Sequence, residues 1–563
     1  MTTSITEVTK REIGKHFVFG FHGHELNDDI KTLIKEYYLG NIILMKRNVR
    51  DVIQVRRIVR ELQAFAKECG HQKPLLIGID QENGLVSAFS SPTAGTQFPG
   101  AMALAATGSP DLAEEVSEAS AKELKMVGIN WAYSPIADVN SDPKNPVIGV
   151  RSFGDDPREV TRYALAVSRG LTTSGVAPSA KHFPGHGDTH VDSHLALPRI
   201  LKSKQELEKT ELMPFKALIK PNPIASVMVG HMALPLFTGD DSPASLSDKV
   251  TNGLLRKEMG YEGVVVTDCI EMDAIADPAQ GGCGIEEGAV RALLSGVDVV
   301  MACHTYEKQV GAINRVYEAL MAERLDLVTL EKGGERVDRM KDLFVGGWEA
   351  VLNSETDEAF EEKWEDMKNK NLALSIKAYR QSCALIWDSG ILPLKVGREE
   401  RLLLFTPKME SLNRAVDDAD GVLRDRAGRL RNTVGASYLA LAELIQEKTQ
   451  CEHVVYSSSD STVVPIQGHI EAVVFVLRNA DRSMWQREYL KKVLMGCASI
   501  PVVLLASCGP YDLVGEDSER VRAGTAYVAS FEFTRSAFEA IVEGIFDEKR
   551  TEWAKVPIVG GAL

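Results

Sequence analysis

Short apolar runs recur through the first 350 residues, separated by longer stretches in which apolar and polar positions alternate with a helical period. The runs are HFVFGF (16–21), NIILM (41–45), LLIGID (75–80), INWAYSP (129–135), VAPSAKHF (176–183), SVMVGHMAL (226–234), VVVTD (264–268) and VDVVMAC (297–303). Between them lie segments such as DVIQVRRIVRELQAFAKE and PREVTRYALAVSRGLTTSG, which read as amphipathic helices. Apolar strands each followed by a helix predict βα units and a parallel sheet buried on both faces. Eight such units in succession predict a closed (β/α)8 barrel of the TIM type, an α/β fold; an open doubly wound sheet is the alternative.

The texture then changes. Residues 353–381, NSETDEAFEEKWEDMKNKNLALSIKAYRQ, are dense in charge and predict an exposed helical connector. Apolar runs resume after it: CALIWD, RLLLF, HVVYSS, AVVFVL, PVVLLAS and TAYVASF, with helical stretches such as TRSAFEAIVEGIFDE among them. The expected organisation is a barrel over residues 1–350, a helical linker over 351–381 and a smaller α/β sandwich over 382–563. No short-period repeat or low-complexity segment interrupts it.

Composition narrows the function. A formal charge of −15 over 563 residues disfavours non-specific nucleic-acid binding, because nothing offsets repulsion from phosphates. The N-terminal segment has no apolar core of a secretory signal, and no run approaches a membrane span. The eight cysteines are scattered without a C-x-x-C pair and several sit in apolar runs, which reads as reduced, buried thiols in a cytoplasmic protein. Nothing in the sequence fixes an oligomeric state.

In a barrel of this kind chemistry collects at the carboxyl ends of the strands. Strand three ends in Asp80, strand five runs into Lys181 and His182, strand six contains His231, strand seven ends in Asp268 and strand eight runs into His304. A lone acid at a strand end is commonly a cap or turn residue; five polar groups at one end are harder to read as caps alone. After strand five, histidines fall at 182, 186, 190 and 194, every fourth residue. On a helix they would share a face suited to zinc, but Pro184, Gly185 and Gly187 interrupt any helix there. A folded loop is expected instead. Within it Asp192 and His194 are two apart. A carboxylate on one imidazole nitrogen fixes the tautomer and leaves the other nitrogen to carry a proton, although the same pair could merely hold the loop shut. An ionised acid facing a proton donor is the requirement for retaining glycoside hydrolysis and for several other barrel reactions. The residues alone therefore reach a barrel hydrolase or lyase.

The loop Lys181-His182-Phe183-Pro184-Gly185-His186-Gly187, with Asp192-Ser193-His194 following, resembles the signature K-H-[FI]-P-G-H-G-x4-D-x-H. That is the pattern of the β-N-acetylglucosaminidase branch of glycoside hydrolase family 3. IGIDQENG (77–84), NPVIGVRSFGDDP (145–157), PASLSDKV (243–250) and GVVVTD (263–268) look like the same family in the same order. The resemblance implies Asp268 as catalytic nucleophile, His194 as general acid/base and Asp192 as its partner. It implies Asp80, Arg151, Lys181 and His182 as residues that hold the hydroxyls of a terminal GlcNAc, with neither metal nor cofactor. His186, His190, His231 and His304 are expected to be structural, with sugar contact left open for His231 and His304 by their place at the barrel mouth. The chain departs from bacterial members at Asn83, at Leu85, which removes a guanidinium able to grip an acidic aglycone, and at MKRN (45–48), where Lys46 or Arg47 stands in for a distal contact. These variants resemble the fungal intracellular branch, for which chitin-type chains are the implied substrate. A phosphorylase using the same residues, and an inactive sugar-binding protein on the same scaffold, are the competing expectations.

Overall fold

The computed structural model describes residues 5–189, 197–220, 224–352, 356–409, 434–460, 468–514, 523–547 and 552–559. Eight parallel strands close into a barrel: β1 (Phe17–Phe19), β2 (Asn41–Leu44), β3 (Leu76–Ile79), β4 (Trp131–Ala132), β5 (Ala177–Phe183), β6 (Ser226–Val229), β7 (Val264–Cys269) and β8 (Val299–Ala302). Each strand pairs with its sequence neighbours, and β1 closes on β8. The expected barrel and all eight of its strands are present. The sixth is shorter than its apolar run suggested: it stops at Val229, and the chain turns so that Ala233 donates to Pro198 in the loop after β5. His231 therefore lies in a loop.

The strands alternate between two apolar environments. Val18, Ile43, Leu76, Trp131, Tyr133, Met228, Val264, Val266, Val299 and Met301 fill the barrel interior as one buried cluster. Intervening residues such as Phe17, Phe19, Ile42, Ile77, Val227 and Val265 pack outward against the helices. Helix starts are set locally. Asp51 accepts from the backbone N of Gln54 (2.7 Å) before Val52–Glu68, and Asp156 accepts from Arg158 N (2.9 Å) before Pro157–Thr173, whose proline occupies the first turn. Among the described residues no helix is long and apolar enough to cross a membrane.

A second sheet holds six strands: β9 (Ala384–Asp388), β10 (Arg401–Pro407), β11 (Gln450–Tyr456), β12 (Ala472–Leu477), β13 (Val502–Ala506) and β14 (Thr525–Ala529), in the order β9-β14-β13-β12-β10-β11. Only β9 runs antiparallel to its neighbour. Between barrel and sheet runs the helix Asp357–Ser382. Its charged face hides an apolar one: Phe360, Trp364 and Ala378 join the barrel's outer core, and Tyr379 joins the core of the second sheet.

The two bodies also meet through a buried carboxyl. Glu532 accepts from the backbone N of Gly100 (3.2 Å) in the barrel and from the Tyr379 hydroxyl (3.3 Å). Burial pushes its carboxyl up to about 8. The unfolded chain releases this proton near the ordinary carboxylate value, so the contribution to stability is full in acid and fades as pH rises from about 4.5 through about 8. Glu532→Gln keeps the shape and cannot ionise. Its thermal midpoint, followed across this range, is expected to fall less with pH than that of the parent; parallel curves would exclude the assignment.

Candidate active site

A cavity of about 550 Å³ opens at the carboxyl end of the barrel. Asp80, Arg151, Lys181, His182 and Asp268 all line it, although they come from four different βα units. Asp192 and His194 lie outside the described residues, as does His190.

Lys181 and His182 sit in the last turns of β5, a strand buried along its whole length, and the peptide between them is cis. Lys181 Nζ bonds Asp80 Oδ1 (2.6 Å) and Glu82 Oε1 (2.7 Å). Glu82 also takes a two-pronged contact from Arg151, at 2.9 and 2.7 Å, while Arg151 Nη1 donates to the carbonyl of Val147 (3.2 Å). Burial alone would make Glu82 harder to ionise. Arg151 and Lys181 outweigh it and hold the carboxyl down to about 2. Burial would likewise favour neutral Lys181, but Asp80 and Glu82 raise it above the usual lysine range. The result is a charge-compensated floor whose one partly exposed carboxylate, Asp80, faces the cavity.

His182 is fixed by a second carboxylate. Asp138 is fully buried; its Oδ2 lies 2.7 Å from His182 Nδ1, and its Oδ1 accepts from the backbone N of His182 (3.0 Å) and His186 (2.7 Å). Burial opposes ionisation of Asp138, but His182 more than offsets it and the carboxyl stays below its usual range. An ionised carboxylate only accepts, so Nδ1 carries a proton and Nε2 is turned to the cavity. There it faces Asp268 Oδ2 at 3.9 Å. Asp268 projects from the end of β7, and its Oδ1 accepts from the backbone N of Cys269 (2.8 Å).

Two members of this network escaped the sequence reading. Glu82 lies three residues beyond the end of β3, in the same IGIDQENG stretch as Asp80. Asp138 lies six residues beyond the end of β4, too far along the chain to read as a strand-end group. His186 is buried, with Nδ1 2.9 Å from Thr189 Oγ1; burial, then His182, lower its ring to about 4. His231 is buried between Ser245 Oγ (2.7 Å) and the carbonyl of Cys269 (3.0 Å). Both rings are thus tied to protein groups. His304 instead stands exposed at the rim, 3.2 Å from Arg47 Nη1. Lys46 and Arg47 both line the cavity, and Arg47 bonds the carbonyls of Phe21 (3.0 Å) and Cys303. Leu85 packs against the core of the second sheet.

Glu82→Gln is expected to cost about 3–5 kcal/mol, because it leaves two buried cations short of a counter-charge. Glu82 is depressed in the folded chain, so its contribution is present above about 4.5 and lost as pH falls towards about 2. Denaturant unfolding across pH should show the variant already weakened at neutrality and less sensitive to acid. An unchanged midpoint at pH 7 would contradict the network.

Fold and cavity together define a two-domain protein with a (β/α)8 barrel whose mouth holds an aspartate among paired charges. Comparison with known proteins sharpens this: the sequence profile of the Glycosyl hydrolase family 3 N terminal domain matches residues 7–340, and the chain belongs to that family. Beta-hexosaminidase A of Pseudoalteromonas piscicida is 39% identical over 265 residues, 45% of this chain and 44% of that protein. A beta-hexosaminidase of Photobacterium profundum is 33% identical over 293 residues, 52% of this chain and 83% of its own length. Among solved structures, a fungal multi-domain β-N-acetylglucosaminidase of the family, described as containing a GCN5-related glucosamine N-acetyltransferase region, superposes with a TM-score of 0.85 at 32% identity. The match covers 98% of this chain and 60% of the fungal one, so the chain spans well under the full length of that enzyme and of beta-hexosaminidase A. A family 3 β-N-acetylglucosaminidase from Paenibacillus sp. str. FPU-7 matches at 29% identity and a TM-score of 0.82 over 98% and 99% of the two chains.

Proposed function

We propose that this chain is a retaining exo-β-N-acetylglucosaminidase that releases terminal β-linked GlcNAc from chitin-type oligosaccharides. The observation that carries the proposal is Asp268, standing at the end of β7 in a sugar-sized cavity with Asp80, Arg151, Lys181 and His182 around it. The β-hexosaminidase and β-N-acetylglucosaminidase relatives support the same reading.

In this mechanism Asp268 attacks the anomeric carbon and forms a glycosyl-enzyme. His194, paired with Asp192, protonates the leaving oxygen, then takes a proton from the incoming water. Asp80, Lys181, Arg151 and His182 grip the sugar hydroxyls, with Glu82 and Asp138 holding those groups in place. No metal or cofactor takes part. Asp268 must be ionised while His194 is protonated, so activity falls on both sides of an optimum. We assign the barrel domain to 1–350, the connector to 351–381 and the sandwich to 382–563, supported by the two separate apolar cores. None of the eight cysteines is joined in a disulfide, which suits a reducing, cytoplasmic setting. Likeness to the fungal enzyme, with Asn83 and Leu85, favours chitin fragments over muropeptides.

The test is product analysis on chitobiose and on a muropeptide side by side, each with and without phosphate. GlcNAc appearing first as the β anomer, faster from chitobiose and without sugar phosphate, is expected. GlcNAc-1-phosphate would make the chain a phosphorylase. The α anomer appearing first would overturn retention, and sugar binding without turnover would leave a binding protein.

A further inference from the structure

The ends of β7 and β8 bring together three residues that the proposed mechanism does not use. Cys269, Cys303 and His304 each place one ligating atom within 4.8 Å of the other two. Cys303 is buried, Cys269 is partly exposed and His304 is exposed, so the group has one closed side and one side open to the cavity that Asp268 lines. Spacing does not reveal this group, since the two cysteines are 34 positions apart and form no recognised ligand pattern.

The segments that carry them are tied together. Glu271, just past β7, accepts from the backbone N of Cys303 (2.6 Å), His304 (2.6 Å) and Thr305 (2.9 Å), clasping the exit of β8. Glu271 Oε2 lies 3.8 Å from Cys269 Sγ. Arg47 holds the carbonyl of Cys303 from the other side, and His231 Nε2 lies 3.0 Å from the carbonyl of Cys269. Ligands whose backbones are anchored in this way lose little freedom on coordinating an ion.

We propose that Cys269, Cys303 and His304 form a zinc-class cation site whose fourth position opens onto the cavity, and that its occupancy inhibits turnover. Tetrahedral zinc, with Zn–S about 2.3 Å and Zn–N about 2.0–2.1 Å, sets ligating atoms about 3.5–3.8 Å apart. The present arrangement reaches this by contracting about one ångström. Binding takes one Zn²⁺, releases the two thiol protons to solvent and leaves an electrically neutral centre; no electron moves. The ring must also leave Arg47, because a metal-bound imidazole has no lone pair for a guanidinium. Arg47 keeps its bonds to the carbonyls of Phe21 and Cys303, so that release breaks one hydrogen bond. Inhibition follows from adjacency. The amide of Cys269 supports Asp268 Oδ1 at 2.8 Å, and an ion on Cys269 draws that residue inward while its fourth ligand occupies cavity space. Inhibition rests on the proposed glycosidase reading, whereas binding does not.

The experiment uses the full chain, stripped of metal and kept in a phosphine reductant that prevents disulfides. Zn²⁺ is titrated in competition with a chromophoric chelator, and Co²⁺ is added in parallel as a spectroscopic probe. One tight equivalent is expected, with thiolate-to-cobalt charge-transfer absorption in the near ultraviolet. Cys269→Ser and His304→Ala should each weaken zinc by about 100-fold or more; neither residue is deeply buried, so both tests survive if Cys303→Ser fails to fold. Stoichiometric Zn²⁺ should stop cleavage of nitrophenyl β-GlcNAc, and chelator should restore it. Absence of a tight equivalent overturns the site, and so does equal zinc affinity in Cys269→Ser, which would move the ion to other groups. Binding without loss of activity overturns the inhibitory role. A chain that binds zinc through these residues yet never cleaves the glycoside keeps the site and refutes the glycosidase reading.

Discussion

Asp268→Ala is expected to lower turnover of nitrophenyl β-GlcNAc by about 10⁴-fold or more, since losing a covalent nucleophile removes the low-energy route outright. The variant should still bind sugar, because the groups assigned to the hydroxyls, Asp80, Lys181, Arg151 and His182, are supported by Glu82 and Asp138 rather than by the aspartate. Azide offers a sharper reading. A small anion entering the space left by the carboxylate should attack the β-glycoside from the opposite face and yield the α-glycosyl azide. Product analysis by NMR distinguishes this from simple hydrolysis. Activity within about tenfold of the parent would remove Asp268 from the reaction, because a residue acting only through positioning rarely accounts for the whole rate.

His194→Ala should produce a split between substrates. Chitobiose has a poor leaving group and needs its proton, so cleavage should drop by about 10²–10⁴-fold. Nitrophenolate departs without help, so formation of the glycosyl-enzyme should survive. Its hydrolysis should slow, because the base that activates water is gone, and a burst of nitrophenol followed by slow turnover is expected. The alkaline limb of the pH profile should also disappear. Equal damage to both substrates would show that His194 is not the proton donor.

Much of the architecture could be read before any coordinates. Each of the eight barrel strands is an apolar run, and some runs lead to a helix with a recognisable capped start, as at Asp51 and Asp156. That legibility has a cause: strands buried on both faces are largely apolar, and a closed parallel barrel leaves none at an edge. The sixth strand was overlong in the sequence reading because VMVGHMAL stays apolar after the backbone has turned away. The connector is a helix, as its sequence predicts, but is less exposed than its charge suggests. Its charge advertises solvent, yet Phe360, Trp364 and Tyr379 are spaced to bury one face, a pattern diluted by the lysines and glutamates around them.

The site was legible in part. Asp80, Lys181, His182 and Asp268 are visible as polar groups at strand ends, and Arg151 through a family motif. Their partners were not, because Glu82 and Asp138 act through space on residues 44 to 99 positions away. The sequence alone determined the barrel, the second α/β layer and the chemical types gathered at the barrel mouth, since local periodicity and strand-end polarity are properties of neighbouring residues. Tertiary structure decided which carboxylate each cation meets, that Glu532 is sealed between two bodies, and that Cys269 and Cys303 stand side by side. Charge compensation and ligand clustering depend on distances across the barrel, and no one-dimensional spacing encodes those.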